Sequence, residues 1–252
     1  MGKIVAIGGY DKKEIIEETT SINREILKLT GKKKPKVLFL PTASDDSDRY
    51  VRIFLNHFGK KLKCSTDLLL LYKEKLTSKQ IAAKIMWADA IYVGGGNTLK
   101  MMNLWRKMGV DKMLKKAFTK GTVLSGISAG SICWFTSGVS DSRQFKNPKS
   151  NEYIKVTGLG LLPVLHCPHY KSTTCDRGHR TKGLKLISAK TRELCIAVED
   201  ATALVVVNDK YRVISSIKGR KIYRTFTKKG KFYEEPILPS SKFSRLKELL
   251  KF

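Results

Sequence analysis

A serine between two glycines is the feature of the sequence that most clearly suggests chemistry. Residues 122–131 contain Gly126-Ile-Ser-Ala-Gly130, a Gly-x-Ser-x-Gly pattern between an apolar run and a possible helix. This pattern is typical of a sharp strand-to-helix turn that lifts a nucleophilic serine out of a sheet. Glycine fits such a turn because larger side chains would clash there. We therefore predict that Ser128 is a nucleophile.

Two backbone segments could stabilise a negatively charged oxygen formed at this serine. Ala129 would open a helix, where the first N–H groups have no partner inside the helix. Gly94-Gly95-Gly96-Asn97 also follows a strand and precedes a helix, and its side-chain-free N–H groups suit an oxyanion hole. A dinucleotide phosphate site fits less well, because Leu99 occupies the last glycine position of Gly-x-Gly-x-x-Gly.

A histidine must accept the proton of the serine, and the chain contains four. His57 lies in a helical pattern and is predicted to pack, while His179 lies in a basic segment and is predicted to be exposed. His166 is expected to point into the packing of a sheet. His169 follows Pro168 at the end of a predicted strand, so we predict that His169 is the general base.

A base of this kind needs a carboxylate that holds its tautomer. Asp141 lies in the predicted loop after the serine turn. Glu199 and Asp200 close a strand downstream of His169. The residues alone leave the choice open.

Two other kinds of site are weaker. Cys133 and Cys167 could be nucleophiles, but both are expected to be buried small side chains. His166 and His169 could share a metal ion, yet no acidic residue lies at ligand spacing. We predict no metal and no cofactor.

Strands and helices alternate before Ser128, which is typical of a parallel sheet covered by helices on both faces. Sites in such sheets lie at the carboxyl ends of the strands, so Ser44, Gly95 and Ser128 should line one crevice. The predicted strands are 3–7, 37–40, 66–71, 90–93 and 122–127, and the predicted helices are 12–29, 45–62, 77–87, 97–104 and 111–118.

The second half of the chain has a different pattern. Residues 137–153 are polar and are predicted to form a surface loop. We expect a single α/β domain over residues 1–252, with an antiparallel tail from about residue 208. The other predicted elements are strands 164–170, 194–199 and 202–207, a partly helical segment 173–189, antiparallel strands within 213–233, and a helix 243–250 capped by Ser240 or Ser241.

The composition indicates a basic globular protein. The 252 residues include 49 Lys and Arg against 22 Asp and Glu, a net charge of +27, and 42% are hydrophobic. The charge is spread along the chain without a nucleic-acid motif, so a solvated basic surface is favoured over a non-catalytic nucleic-acid or anion-binding protein. No run is apolar enough to span a membrane. Five cysteines without a Cys-x-x-Cys pair favour a reduced, cytoplasmic setting.

Three motifs together resemble the peptidase E (aspartyl dipeptidase) family of serine peptidases. They are Val93-Gly-Gly-Gly-Asn-Thr98, Gly126-Ile-Ser-Ala-Gly130 and Cys167-Pro-His-Tyr170, in the family's order. The resemblance runs from the first strand to about Val207. The wider group includes cyanophycinases, and the resemblance implies a fold related to class I glutamine amidotransferases.

The resemblance implies a cytoplasmic enzyme that cleaves short peptides, typically releasing an N-terminal aspartate through an acyl-enzyme. By motif, Ser128 matches the nucleophile, His169 the base, and Gly95 and Ala129 the oxyanion donors. For the third member, Asp141 matches an aspartate proposed as the relay residue. The other match is Asp200, which stands where the family's structures place a glutamate.

The substrate side is less constrained by the motifs. Gly96, Asn97 and Arg143 are predicted to bind the peptide, and Arg177 and Arg180 are further candidates for recognising an acidic residue. A cyanophycinase-like hydrolase and an esterase with an α/β-hydrolase fold remain alternatives. The expected partner is a short peptide, without a membrane or nucleic acid, and a homodimer stays open.

Overall fold

The computed structural model describes residues 2–11, 16–147, 149–150, 152–172 and 179–251. In chain order, the strands are β1 (Lys3–Ile7), β2 (Lys36–Leu40), β3 (Ser65–Leu68), β4 (Ala90–Val93), β5 (Val123–Ile127), β6 (Phe135–Ser140), β7 (Ile154–Thr157), β8 (Leu162–Cys167), β9 (Cys195–Val198), β10 (Thr202–Val207), β11 (Lys210–Ser215), β12 (Ile222–Lys228), β13 (Lys231–Ile237) and β14 (Ser244–Arg245). The α-helices are α1 (Thr20–Thr30), α2 (Asp48–Phe54), α3 (Ser78–Trp87), α4 (Thr98–Met108), α5 (Val110–Thr119), α6 (Ala129–Ile132), α7 (His179–Thr191) and α8 (Leu246–Leu250).

The first sheet has the order β14-β11-β10-β1-β5-β4-β2-β3. Its strands β1, β5, β4, β2 and β3 pair in parallel, as the strand–helix alternation predicts. Side chains of a strand alternate between the two faces of its sheet. Ile4 and Ala6 of β1 accordingly join one apolar core, while Val5 and Ile7 join the other. The prediction of a mostly parallel sheet with helices on both faces is confirmed.

A second sheet carries the later part of the chain, in the order β13-β12-β9-β8-β6-β7. Strand β6 lies inside this sheet, so the predicted surface loop 137–153 is wrong at its beginning. Its polar sequence suggests a loop, because polar side chains are usually solvated. Its hydroxyl groups are instead buried and hydrogen-bonded: Ser140 is fully buried and its Oγ donates to Thr98 Oγ1 at 3.2 Å.

The predicted antiparallel tail is divided between the two sheets. Strands β11 and β14 extend the first sheet, and β12 and β13 extend the second. The C-terminal helix is shorter than predicted: α8 begins at Leu246, and Arg245, rather than Ser240 or Ser241, is its N-cap. The reason is that Ser244 and Arg245 pair with β11. The single-domain organisation stays a prediction.

Some predicted segments reach beyond the described residues. The helix 12–29 corresponds to a 3₁₀ turn at Ile16–Thr19 followed by α1, and its first residues lie outside the described part. Likewise, only α7 of the segment 173–189 is described. Within the described chain, no helix is both long enough and apolar enough to cross a membrane.

The topology brings several loops to one edge of the first sheet. Strands β1, β5 and β4 are adjacent and parallel, so the segments that follow them meet at the same edge. These segments are Gly8-Gly9, Ser128 and Gly94-Gly95-Gly96.

Candidate active site

The turn at Ser128 is strained and is made possible by its glycines. Ser128 links β5 to α6 with φ of 57° and ψ of −118°, a conformation that costs free energy for a residue with a side chain. A Cβ at Gly126 would lie 2.2 Å from the carbonyl oxygen of Gly130. One at Gly130 would lie 2.1 Å from the carbonyl oxygen of Val93. Only glycine allows backbones to approach this closely, and the turn leaves Ser128 partly exposed.

A chain of hydrogen bonds connects the serine to a buried carboxylate. His169 Nε2 lies 2.8 Å from Ser128 Oγ, and His169 Nδ1 lies 2.7 Å from Asp200 Oδ1. His169 follows β8 with a positive φ of 54°, and Asp200 follows β9. Hydroxyl, imidazole and carboxylate in this order can activate a serine for nucleophilic attack.

Asp200 remains suited to carry a negative charge although it is buried. Burial works against ionisation, but the hydrogen bond and charge of His169 outweigh it, with help from Ser172 and Arg220. Together they hold the pKa of Asp200 below its ordinary value. An ionised Asp200 accepts the Nδ1–H of His169, which leaves Nε2 to accept a proton from Ser128.

The other two candidate carboxylates point elsewhere. Asp141 forms an ion pair with Arg180 at 2.9 Å, so it does not occupy the position beside His169 Nδ1. Glu199 accepts hydrogen bonds from the backbone N–H of Lys221 and the hydroxyl of Tyr223 at 2.8 and 3.2 Å. Of the carboxylates that the sequence leaves open, Asp200 contacts His169, and Asp141 and Glu199 do not. Sequence spacing could not reveal the contact with Arg180, which joins residues far apart in the chain.

The expected oxyanion donors lie on either side of the serine. A Cβ at Gly95 would lie 3.2 Å from Ser128 Cβ, which places the loop after β4 directly against the serine. The Gly95 N–H donates to the hydroxyl of Tyr50 at 3.4 Å. Ala129 is the first residue of α6, so its N–H belongs to a helix N-terminus. Both groups can serve a developing negative charge.

Comparison with known proteins identifies the family. The model of peptidase family S51 matches residues 4–214, which is most of the chain. The chain belongs to peptidase family S51. It is a serine peptidase, and the predicted resemblance to peptidase E is confirmed.

Named relatives agree with this assignment. The chain is 35% identical to the uncharacterized peptidase YgaJ of Bacillus subtilis, over 94% of this chain and 97% of that protein. It is 26% identical to peptidase E of Shewanella denitrificans, over 87% of this chain and 89% of that protein.

Solved structures share the fold at low sequence identity. A peptidase from an acI-B1 actinobacterium superposes with a TM-score of 0.69 at 18% identity, covering 97% of both chains. A putative peptidase E protein from Listeria monocytogenes gives 0.63 at 18% identity, covering 85% of this chain and 98% of that one. The relation to class I glutamine amidotransferases stays an expectation.

Of the residues predicted to bind substrate in this S51 peptidase, Gly96 lies in a tight loop, and Asn97 and Arg143 line a cleft. Gly96 has a φ of 137° and packs against Ala43, so it shapes the loop. Asn97 caps α4, accepting from the N–H of Lys100 at 3.0 Å. Arg143 is exposed and paired with Glu152. Asn97 and Arg143 line one cleft of about 620 Å³, whose other lining residues are Leu99, Lys100, Asn103, Ser142, Lys146, Asn147, Ser150 and Glu152.

Of the two further arginines predicted to recognise an acidic residue, the structure describes Arg180. Arg180 is nearly buried, and besides pairing with Asp141 it donates to the carbonyl of Val139 at 3.1 Å. It therefore ties α7 to β6. Arg177 lies outside the described residues.

Sequence reasoning missed Gly9. A Cβ there would lie 2.1 Å from Asp200 Oδ1 and 2.2 Å from the His169 ring. The preceding residue, Gly8, accepts the backbone N–H of His169 at 3.3 Å. Two adjacent glycines directly after a buried strand were the available signal, since close backbone approach requires glycine.

Tyr50 was missed as well. Its hydroxyl contacts the Gly95 N–H, and its ring would clash with a Cβ at Gly94, at 2.8 Å. The Tyr10 hydroxyl lies 3.5 Å from that of Tyr50. Nothing in the helical pattern around Tyr50 separates this residue from an ordinary packing aromatic.

The other histidines and cysteines whose side chains the structure describes are buried. His57 and His166 are buried, as predicted, and burial lowers their pKa values to about 4 and about 3. Cys133 and Cys167 are fully buried, and burial raises the pKa of the Cys133 thiol, which disfavours a thiolate nucleophile. No cluster of three His, Cys, Asp or Glu suited to a metal ion occurs among the described residues. The side chain of His179 lies outside that set.

Proposed function

We propose that Ser128, His169 and Asp200 form the catalytic triad of this S51 peptidase. The observation that carries the proposal is the unbroken chain of contacts at 2.8 and 2.7 Å from the Ser128 hydroxyl through His169 to Asp200. The strained backbone of Ser128 adds support, because strain of this kind concentrates at functional sites.

Each residue has a defined task in peptide cleavage. Ser128 Oγ attacks the peptide carbonyl while His169 Nε2 takes its proton. Asp200 holds the imidazole tautomer and stabilises the imidazolium that forms. The N–H groups of Gly95 and Ala129 bind the oxyanion. His169 then protonates the leaving amine, and water, activated by the same ring, hydrolyses the acyl-enzyme.

The proposed substrates are short peptides with an acidic N-terminal residue, aspartate first. Two observations support an acidic substrate. The net charge of the chain is +27. The cleft beside the Gly95 loop has three basic lining residues, Lys100, Arg143 and Lys146, and one acidic lining residue, Glu152. A relative is named peptidase E, and a basic field attracts anionic peptides.

The test is hydrolysis of a dipeptide panel that differs in the first residue, with Asp, Asn, Glu and Ala before a common leucine. Wild type is expected to cleave the Asp dipeptide with the highest kcat/KM. Ser128→Ala should lose activity by several powers of ten, as nucleophile removal does in triads. Ser44→Ala is the matched control, because Ser44 follows β2, two strands away from β5, and its hydroxyl donates to the Pro41 carbonyl at 2.9 Å.

Two results would overturn the proposal. Activity that survives in Ser128→Ala rejects the triad. Equal cleavage of the Asp and Asn dipeptides by wild type rejects the acidic preference alone.

We also propose that the protein works in the cytoplasm. Among the described residues, the cysteines Cys64, Cys133 and Cys195 are free thiols, as expected in a reducing compartment. Fractionation of the source cells, followed by detection with an antibody, tests this; recovery from the secreted fraction would reject it.

A further inference from the structure

Two backbone N–H groups and one hydroxyl surround the carbonyl oxygen of Ser128. The carbonyl oxygen of Ser128 accepts from the backbone N–H of Ser131 at 2.9 Å and from that of Ile132 at 3.1 Å. The Ser131 hydroxyl lies closer, at 2.7 Å. Ser131 is fully buried, so water does not compete for this contact.

This carbonyl and the N–H of Ala129 belong to the same peptide group. A trans peptide is planar, and its C=O and N–H point in opposite directions. Donors that hold the Ser128 oxygen on the helix side therefore aim the Ala129 N–H outward, on the side of the serine. They also polarise the peptide, since hydrogen bonds in a chain strengthen one another.

The Ser131 hydroxyl has a second neighbour, the buried His166. Its Nε2 lies 2.8 Å from Ser131 Oγ, and its Nδ1 lies 2.9 Å from the carbonyl oxygen of Ile196. The ring stacks on Phe135 with centroids 4.2 Å apart and planes 8° apart. These contacts fix the imidazole in one orientation.

The Ser131 hydroxyl has one proton and two neighbouring acceptors. A carbonyl only accepts, so the Nδ1–H of His166 must donate to Ile196. Burial lowers the pKa of His166 to about 3, so the ring is neutral near pH 7 and Nε2 can only accept. The single proton of the Ser131 hydroxyl thus has two acceptors within 2.8 Å, namely Nε2 and the Ser128 carbonyl.

We propose that Ser131 and His166 are positioning residues for the Ala129 N–H, and that the Ser131 proton turns from His166 to the Ser128 carbonyl as the oxyanion forms. When Ala129 donates to a negative oxygen, its own peptide carbonyl becomes a stronger acceptor. The third donor therefore acts mainly in the transition state, where it accelerates the reaction rather than tightening substrate binding.

The inference rests on the proposed function of Ser128, and a matched pair of variants tests it. Ser131→Ala removes the hydroxyl. Ser125→Ala removes another fully buried serine hydroxyl, which lies on β5 and donates to the Ile91 carbonyl of β4 at 2.7 Å. The readouts are kcat and KM on the dipeptide that wild type cleaves best, the rate of labelling by a fluorophosphonate, and thermal unfolding.

We expect Ser131→Ala to lower kcat and the labelling rate by about tenfold, a fraction of the loss caused by deleting an oxyanion donor outright. KM should stay unchanged, and Ser125→Ala should keep wild-type kinetics. Wild-type kcat in Ser131→Ala, or an equal loss in both variants, would overturn the inference while leaving the triad intact. Failure of wild type to label at Ser128 would instead reject the proposed function, and this inference with it.

A measurement on the wild-type protein avoids any dependence on variant folding. Nitrogen NMR of His166 should show a neutral ring with its proton on Nδ1. Phosphonylation of Ser128 places a tetrahedral centre at the oxyanion site, so the Nε2 resonance should then move toward the value of an imidazole nitrogen without a donor. An Nε2 resonance that is identical before and after labelling would reject the turning hydroxyl.

Discussion

The two sides of the site are constructed in different ways. The nucleophile turn, residues 126–130, is short and its glycines contact backbone within it and in the neighbouring β4 loop. The base side, defined here as Gly9, His169 and Asp200, joins three distant segments. His169 is 31 residues from Asp200 and 41 from Ser128 along the chain.

The difference lies in what holds each group in place. Ser128 is placed by a strained backbone between two regular elements, so its position is fixed when the turn forms. His169 is placed by side-chain contacts to Asp200 and by packing against Gly9, so its position depends on two sheets being correctly assembled. Substitutions of the glycines should therefore damage mainly folding on the first side and mainly activity on the second.

The largest expected effect separates the three carboxylates. Asp200→Asn should lower kcat by about 10⁴-fold, because an amide stabilises the wrong histidine tautomer. Asp141→Asn and Glu199→Gln should stay within a few-fold of wild-type kcat, since neither side chain contacts His169. Dipeptide kinetics measure all three; a greater loss in Asp141→Asn than in Asp200→Asn would invalidate the assignment.

The next test compares a glycine on each side. Gly9→Ala should lower kcat by about 100-fold, because a methyl group would displace the His169 ring and the Asp200 carboxylate. Gly130→Ala should mainly destabilise the fold, by about 1–3 kcal/mol or more, because its methyl group meets the rigid backbone of Val93. Kinetics and denaturant unfolding of both variants give the result. The comparison breaks down if Gly9→Ala is the less stable of the two.

Acid stability provides a smaller contrast between the sides. The folded-state pKa of Asp200 lies below 3.8, so its contribution to stability is complete above pH 3.8 and is lost as pH falls through the folded value. The unfolding free energy of wild type should therefore fall more steeply than that of Asp200→Asn as the pH falls below 3.8. Ser128→Ala should parallel wild type, since it removes no titrating group. Parallel curves for wild type and Asp200→Asn would count against an ionised, His169-paired Asp200.

The smallest effect is expected in the cleft that Asn97 and Arg143 line. Arg143 is exposed and already paired with Glu152, and exposed ion pairs contribute little. Arg143→Ala should change the kcat/KM ratio of Asp to Asn dipeptides by about threefold at most. A change of a hundredfold would make Arg143 the main determinant of acidic preference.

Local sequence predicts the strands around the nucleophile turn better than the contacts between distant segments. The strands β1, β2, β4 and β5 were predicted closely, because each is a short apolar run with a clear end. The buried strand β6 was mistaken for part of a loop, since its serines find partners that only the folded chain supplies. Asp141 and Asp200 could not be ranked, because spacing along the chain does not determine which carboxylate reaches a histidine.

The nucleophile turn and the parallel strands around it can be read from local sequence, since both depend on backbone conformation and on apolar patterns a few residues long. Only the assembled fold brings Asp200 to His169, places Gly9 against both and pairs Arg180 with Asp141. These contacts join residues that are distant in sequence, and their free energies depend on burial and distance, which exist only after the sheets have assembled.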